Sequence, residues 1–124
     1  MKASQIIQTA AVFGALAVIF GAFGAHAFEE ILVSTGRLET YGTAVNYHFY
    51  HTLALLLIGI LYHLYPDKKR LNYSAIFFIV GILVFSGSLY FLCLSQVTWL
   101  GAITPLGGLS FILGWVMLLL SFGK

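Results

Sequence analysis

The sequence predicts an all-α integral membrane protein, a bundle of four transmembrane helices with both termini in the cytoplasm. Three observations predict it. Of the 124 residues, 60% are hydrophobic and only 8% are charged, whereas an ordinary soluble domain has about 25% charged residues. The apolar residues form four long runs, and every charged residue lies outside those runs. Six basic and four acidic residues are too few to cover a soluble surface, so we expect most side chains to face lipid or another helix.

The four apolar runs are each long enough to cross a bilayer. A spanning helix needs about 20 predominantly apolar residues, because each residue adds about 1.5 Å along a hydrocarbon path of about 30 Å. Residues 4–28, 41–64, 73–94 and 104–122 meet this requirement. The runs are continuous rather than alternating, so helices and not barrel strands are expected. We interpret residues 1–124 as a single transmembrane domain.

The first run could also be interpreted as a signal peptide, because Ala25-His26-Ala27 resembles a cleavage site. However, its apolar stretch exceeds the roughly 7–15 residues of a signal core. We therefore interpret it as the first helix.

The charged connections orient the chain. The second connection carries the Lys-Lys-Arg run of residues 68–70, and such a cluster stays in the cytoplasm. An even number of spans then places both termini there too, in agreement with Lys2 and Lys124. Arg37 is the only basic residue in an outer connection, where three glutamates accompany it.

The net charge is only +2, with no basic stripe that would follow a nucleic-acid backbone, so we expect no nucleic-acid partner.

Small residues recur at helical spacing in the first and fourth runs. Helices in lipid associate through close packing, which small residues permit. We expect helix-packing contacts at Gly14, Gly21, Gly24, Gly107, Gly108 and Gly114. The same faces could instead join two copies, so a homo-oligomer remains open beside membrane lipid as a partner.

Polar side chains occur inside or at the edge of all four runs, at similar depth on the outer side. A polar group in hydrocarbon is costly unless satisfied, so intramembrane polar residues face the interior and often mark function. We expect a polar pocket in the outer half of the bundle that binds a small or lipidic ligand. Its predicted lining is His26, Tyr47, His48, His51, Ser86, Tyr90 and Thr104. A hydrogen-bond network that only sets helix register remains equally open.

Other histidine chemistries also remain open. A metal site would use His48 and His51 with His26, and a haem site would take His26 and His51 from facing helices. A proton relay would use His51 with Tyr47. Because no carboxylate or thiolate is clearly placed beside the histidines, we expect no metal and no cofactor.

An enzyme is not favoured. Ser86 has no acidic partner within the membrane, and Thr104 before Pro105 reads as a helix cap. Small multidrug exporters also have four helices, but they rely on a carboxylate within the first one, and Glu29 and Glu30 lie at or beyond the boundary here. A transporter or channel subunit, moving a small solute or a proton through an oligomer, is the alternative to ligand binding. An intramembrane enzyme or haem protein is the further alternative.

Four motifs, in order along the chain, resemble those of a known family. They are GAFGAH at residues 21–26, TAVNYHFYH at 43–51, FSGSLY at 85–90 and TPLGG at 104–108. Together they are similar to the YgdD/YwdK-like small membrane proteins, a bacterial family of unknown function. The resemblance implies a multi-pass protein of the bacterial cytoplasmic (inner) membrane, and it supplies no activity. The motifs coincide with the polar layer, which favours a binding site over a network that only sets register.

Overall fold

The helices follow one another with short connections. The computed structural model describes residues 1–123, so Lys124, one of the residues behind the predicted orientation, lies outside the described part. Within residues 1–123 the elements are α1 Ala3–Ala25, α2 Glu29–Ser34, α3 Leu38–Leu64, α4 Arg70–Gly81, a π-helical segment Ile82–Ser86, α5 Gly87–Ser95, a 3₁₀ turn Thr98–Ala102 and α6 Thr104–Phe122.

Four helical stretches are long and apolar enough to cross a membrane. They cover Ala3–Ala25, Leu38–Leu64, Arg70–Ser95 and Thr98–Phe122. The predicted all-α fold with four spans is therefore confirmed. The second and third spans begin three residues earlier than predicted, at Leu38 of α3 and Arg70 of α4. Glu39 and Arg70 thus lie at helix ends, since a helix can extend past the hydrocarbon into the headgroup region, where charges are solvated.

The first connection contains a helix that the sequence analysis did not anticipate. The first span ends at Ala25, and α2 follows at Glu29. Glu29 and Glu30 occupy the first turn of α2, where acidic side chains interact favourably with the helix dipole. Leu32 is fully buried and anchors the helix. Gly36 follows with φ of +68°, a left-handed conformation that glycine adopts without strain and that commonly ends helices.

The α3 helix and the third span form the centre of the bundle. The first helix packs mainly on α3, whereas α6 packs mainly on α4. Fully buried side chains from three of these helices, including Ile6, Leu55, Ile58 and Phe78, form the inner core. This arrangement leaves one side of α3 facing α1 and a neighbouring side facing α6.

Glycines permit the close approach between these helices. A Cβ atom at Gly107 would come within 2.7 Å of the Phe85 Cα atom, and one at Gly114 within 2.6 Å of the Phe78 ring. The other glycines predicted to pack lie against Tyr41 (Gly24), Val45 (Gly21), Thr52 (Gly14) and, more loosely, Phe85 (Gly108). The sequence analysis missed two further close approaches, Gly59 against Ile7 and Gly81 against Phe111.

The π-helical segment interrupts the third span near its middle. Such single π turns inside helices are uncommon and frequently occur at functional sites. Here the segment places the main chain of Phe85 against Gly107. It also directs the Ser86 hydroxyl to the main chain of α3, where Ser86 Oγ donates to the Ala44 carbonyl at 2.8 Å.

Candidate ligand-binding site

The predicted polar residues do not form one continuous pocket. His48 and Tyr90 meet on the side of α3 that faces α1, whereas Tyr47 and His51 lie on the side that faces α6. Four of the seven predicted residues thus form two separate pairs, whereas Ser86, Thr104 and His26 lie apart from both.

His48 and Tyr90 connect α3 to α5. The Nδ1 atom of His48 lies 2.9 Å from the Tyr90 hydroxyl, and both side chains are buried. The Tyr90 ring stacks on Phe20 of α1 with centroids 4.6 Å apart and planes at 17°. Phe13, also on α1, meets the His48 imidazole edge-on at 6.1 Å. This pair therefore lies where three spans come together.

The second nitrogen of His48 has no hydrogen-bond partner. Within residues 1–123, only two buried side-chain polar atoms lack one, His48 Nε2 and Thr52 Oγ1. His48 is only 3% exposed, and the main chain of Phe13 comes close to its imidazole without satisfying Nε2. Thr52 lies one turn further along α3, with its methyl group facing Gly14. An unpartnered buried polar atom of this kind costs about 1–3 kcal/mol.

A cleft of about 220 Å³ opens beside His48, between α1 and the third span. Its walls come from Phe13, Leu16 and Phe20 on one side and from Ile82, Gly87 and Phe91 on the other, with His48 and Tyr90 also bordering it. The side chain of Phe91 is 70% exposed and that of Leu83, also in the lining, 59%. In a membrane these two side chains face lipid, so the cleft opens laterally toward the bilayer.

Both ring nitrogens of His51 have hydrogen-bond partners, unlike those of His48. Its Nδ1 lies 2.8 Å from the Tyr47 carbonyl, which only accepts, so Nδ1 carries the proton. Its Nε2 accepts a hydrogen bond from the indole of Trp115 at 3.2 Å. The imidazole also stacks on Phe111, with centroids 3.5 Å apart. His51 thus joins α3 to α6 and has no hydrogen-bonding atom left for a ligand.

A second groove, of about 690 Å³, runs beside His51 between α3 and α6. Aromatic side chains form most of its border, including Tyr47, Tyr50 and Trp115. The Tyr47 ring stacks on Phe85 at 4.7 Å. This groove is broader than the cleft at His48, and no buried unpartnered atom borders it within the described residues.

Serine hydroxyls join the helices through main-chain carbonyls. Besides Ser86, Ser74 Oγ donates to the Gly114 carbonyl at 2.7 Å, and Ser110 Oγ donates to the Phe77 carbonyl at 2.7 Å. These contacts link α4 to α6 and satisfy groups that would otherwise be costly in lipid. They support the network that sets helix register.

Thr104 does not cap α6, contrary to the sequence prediction. The helix begins at Thr104 itself, and no side chain caps its first turn. Instead, the Thr104 hydroxyl lies 2.7 Å from the Ser88 hydroxyl and reaches back to the Leu100 carbonyl at 3.4 Å. It therefore links α6 to α5 rather than stabilising the start of its own helix.

His26 stands apart from the other histidines. It is exposed at the end of α1, whereas His51 lies thirteen residues inside α3, about 20 Å from its start. The structure does not bring these two together as the haem hypothesis requires. No three His, Cys, Asp or Glu side chains among residues 1–123 are placed to hold a metal ion.

Comparison with known proteins assigns the chain to a family. Residues 20–108 match the family described as "Protein of unknown function (DUF423)". The chain belongs to this family. It is 43% identical over 117 residues to the UPF0382 membrane protein SH2409 of Staphylococcus haemolyticus, covering 91% of this chain and 93% of that protein. It is 40% identical over 114 residues to the UPF0382 membrane protein YwdK of Bacillus subtilis, covering 92% of each. No solved structure matches the chain.

Membership confirms the resemblance to the YwdK-like proteins. The relatives are called membrane proteins, in agreement with the four spans. The family description supplies no activity, so a function has to be argued from the site.

Several residues of the site were missed by the sequence analysis. Phe13, Phe20 and Gly87 line the cleft, and Trp115 holds His51. Phenylalanines and glycines are common in any span, so no sequence signal singled them out. The sequence did carry a signal for Trp115, because a tryptophan away from the membrane interface needs a partner for its N–H.

Proposed function

We propose that this membrane protein binds a lipidic ligand in the cleft between α1 and the third span, with His48 as the polar contact. The observation that carries the proposal is that His48, which is 3% exposed and whose Nε2 has no partner, borders a cleft open to the bilayer. A ligand that hydrogen-bonds this nitrogen removes the penalty of leaving it unsatisfied. Buried ionisable residues within a membrane are commonly retained for such roles.

The lining of the cleft favours a lipidic ligand over a water-soluble one. Apart from His48 and Tyr90, the described residues that border it are apolar or glycine. Its mouth is bordered by Leu83 and Phe91, so a ligand reaches it from the hydrocarbon phase. The Tyr90 hydroxyl is already engaged by His48. An apolar tail therefore fits the walls, and one polar group fits His48.

Filling the cleft tests the proposal. Gly87 borders the cleft, and a Cβ atom there would meet nothing within 4 Å. A side chain can therefore begin at this position without a clash, and we expect the indole of Gly87→Trp to fill the cleft. Gly42 of α3 is the matched control, because a Cβ atom there also meets nothing within 4 Å and it does not border the cleft. Photoreactive diacylglycerol is added to each purified protein, and crosslinked peptides are identified by mass spectrometry.

We expect crosslinks to cleft peptides in the unmodified protein and in Gly42→Trp, and a loss of most of them in Gly87→Trp. Equal crosslinking of both variants, or none to the cleft peptides of the unmodified protein, would contradict the proposal.

We also propose that the protein lies in the bacterial cytoplasmic membrane with both termini inside. The amino group of Met1 donates to Asn72 Oδ1 at 2.8 Å, and Lys68 Nζ donates to the Ser121 carbonyl at 2.7 Å. The N-terminus, the basic turn and the end of α6 therefore share one end of the bundle. That end carries the basic cluster, which supports a cytoplasmic position. A homo-oligomer stays a prediction.

A further inference from the structure

We infer that the ligand is an uncharged lipid that presents a carbonyl oxygen to the N–H of His48 Nε2. The inference rests on the proposed function and adds which hydrogen-bonding group the ligand carries. It follows from the partner of Nδ1, from the absence of charge around the cleft and from the burial of His48.

The tautomer of His48 follows from its contact with Tyr90. A phenol has one proton to donate, and among residues 1–123 the only hydrogen-bond partner of the Tyr90 hydroxyl is His48 Nδ1. If Tyr90 donates, Nδ1 accepts and a neutral imidazole carries its proton on Nε2. If Nδ1 donates instead, both the phenol proton and the Nε2 lone pair are left without partners. The first arrangement leaves one unsatisfied group rather than two, so His48 presents a donor.

The charge of the ligand follows from the lining. None of the described residues around the cleft is Lys, Arg, Asp or Glu. A phosphate or carboxylate there would lose its hydration without gaining a cation, which is strongly unfavourable. A neutral acceptor avoids this penalty. Acyl-ester carbonyls of a neutral glyceride and ring carbonyls of an isoprenoid quinone share that chemistry and both carry apolar tails.

Two local arrangements compete with a ligand. The His48 N–H could turn onto the nearby Phe13 carbonyl, or a buried water could satisfy both His48 Nε2 and Thr52 Oγ1. Thr52 does not border the cleft, so a Thr52 change separates the water from the inference. A bond to the Phe13 carbonyl would occupy the His48 N–H, and the protein would then show no preference for a carbonyl lipid. If a water joins the two atoms, Thr52→Val and a His48 change act alike. If a ligand carbonyl is bound, only the His48 change alters lipid preference.

The first experiment determines the tautomer by ¹⁵N NMR of histidine-labelled protein in nanodiscs, with His48→Phe used to assign the signal. We expect a neutral His48 imidazole with the proton on Nε2. In Tyr90→Phe without added carbonyl lipid, both the donor to Nδ1 and the acceptor at Nε2 are missing, and we expect the Nδ1–H tautomer to become populated. A proton on Nδ1 in the unmodified protein would overturn the inference.

The second experiment measures lipid preference by native mass spectrometry. Each protein receives an equimolar mixture of a diacylglycerol and the diether analogue without carbonyls, and in a second arm an isoprenoid quinone with an isoprenoid hydrocarbon of the same length. We expect the carbonyl lipid to bind about fivefold more tightly in at least one arm, as one added hydrogen bond implies. The arm that shows the preference identifies the source of the carbonyl.

The variants separate this inference from the proposed function. His48→Phe keeps the ring but loses the N–H, so it should bind both lipids equally, whereas Thr52→Val should keep the preference. If the unmodified protein binds both lipids of each pair equally, the inference is overturned and the proposed function stands. If it binds none of the four lipids, both are overturned. Loss of preference in Thr52→Val as well would favour the water and overturn the inference.

Discussion

The indole N–H of Trp115 donates a 3.2 Å hydrogen bond to Nε2 of His51. Nδ1 of His51 donates to the Tyr47 carbonyl, and Nε2 accepts from the indole. The imidazole is therefore neutral, and both of its nitrogens are hydrogen-bonded. His48, three residues earlier on the same helix, keeps one nitrogen unpartnered beside a cleft. Two histidines that look equivalent in the sequence thus differ in their contacts, because both ring nitrogens of His51 have partners whereas only one nitrogen of His48 has.

Removing the indole N–H should destabilise the contact between α3 and α6. In Trp115→Phe the Nε2 atom of His51 loses its donor, and we expect the free energy of unfolding to fall by about 1–2 kcal/mol. Trp99→Phe is the control, because Trp99 is 66% exposed and lies in the 3₁₀ turn. Thermal unfolding in detergent measures both variants. Equal melting temperatures for the two would show that the bond to His51 contributes nothing.

Two neighbouring glycines of α6 should respond very differently to an added methyl group. In Gly107→Ala the Cβ atom would collide with the main chain of Phe85, which cannot move away as a flexible side chain would. We expect a loss of at least about 1–3 kcal/mol, or failure to fold. In Gly108→Ala the nearest atom is 3.9 Å away, so this variant should remain near the unmodified protein. The yield of folded protein and the melting temperature are measured for both variants. A Gly107→Ala variant as stable as Gly108→Ala would contradict the close packing of Gly107 on Phe85.

The interhelical serines should each contribute little and together a measurable amount. Hydrogen bonds between helices in lipid contribute about 0.6 kcal/mol on average. We therefore expect Ser74→Ala, Ser86→Ala and Ser110→Ala to have small single effects, and the triple variant to lose about 2 kcal/mol. Ser121→Ala is the control, since among the described residues the Ser121 hydroxyl bonds only to the Met117 carbonyl of its own helix, and the bond from Lys68 Nζ to the main-chain carbonyl of Ser121 is kept. Unfolding in mixed micelles measures the series, and a triple variant as stable as the control would argue against the network.

Cysteine labelling should report the orientation. Lys69 and Trp99 are exposed near opposite ends of the third span. A membrane-impermeant maleimide added to intact cells should label Trp99→Cys and leave Lys69→Cys unlabelled, with the reverse result in inverted vesicles. The natural Cys93 is fully buried and should stay unlabelled in both preparations. Labelling of Lys69→Cys in intact cells would reverse the proposed topology.

Much of the fold was predictable because its determinants are local. Run length and hydrophobicity identify the four spans, and the basic residues of the second connection predict their orientation. The short helix α2 and the π segment Ile82–Ser86 were missed. Neither has a strong periodic signal, because α2 depends on burial of Leu32 and the π segment on the fit of Phe85 against Gly107.

Only the residue types of the candidate site were predictable. The sequence by itself determined which polar side chains lie inside the spans, and in lipid such side chains need partners. Only the tertiary structure decided which partners they have. His48 and His51 point about 60° apart around α3, and this difference directs one toward α1 and the cleft and the other toward Trp115 on α6. Helix periodicity determines that angle, but the neighbour that occupies each direction depends on long-range packing, which no local pattern encodes.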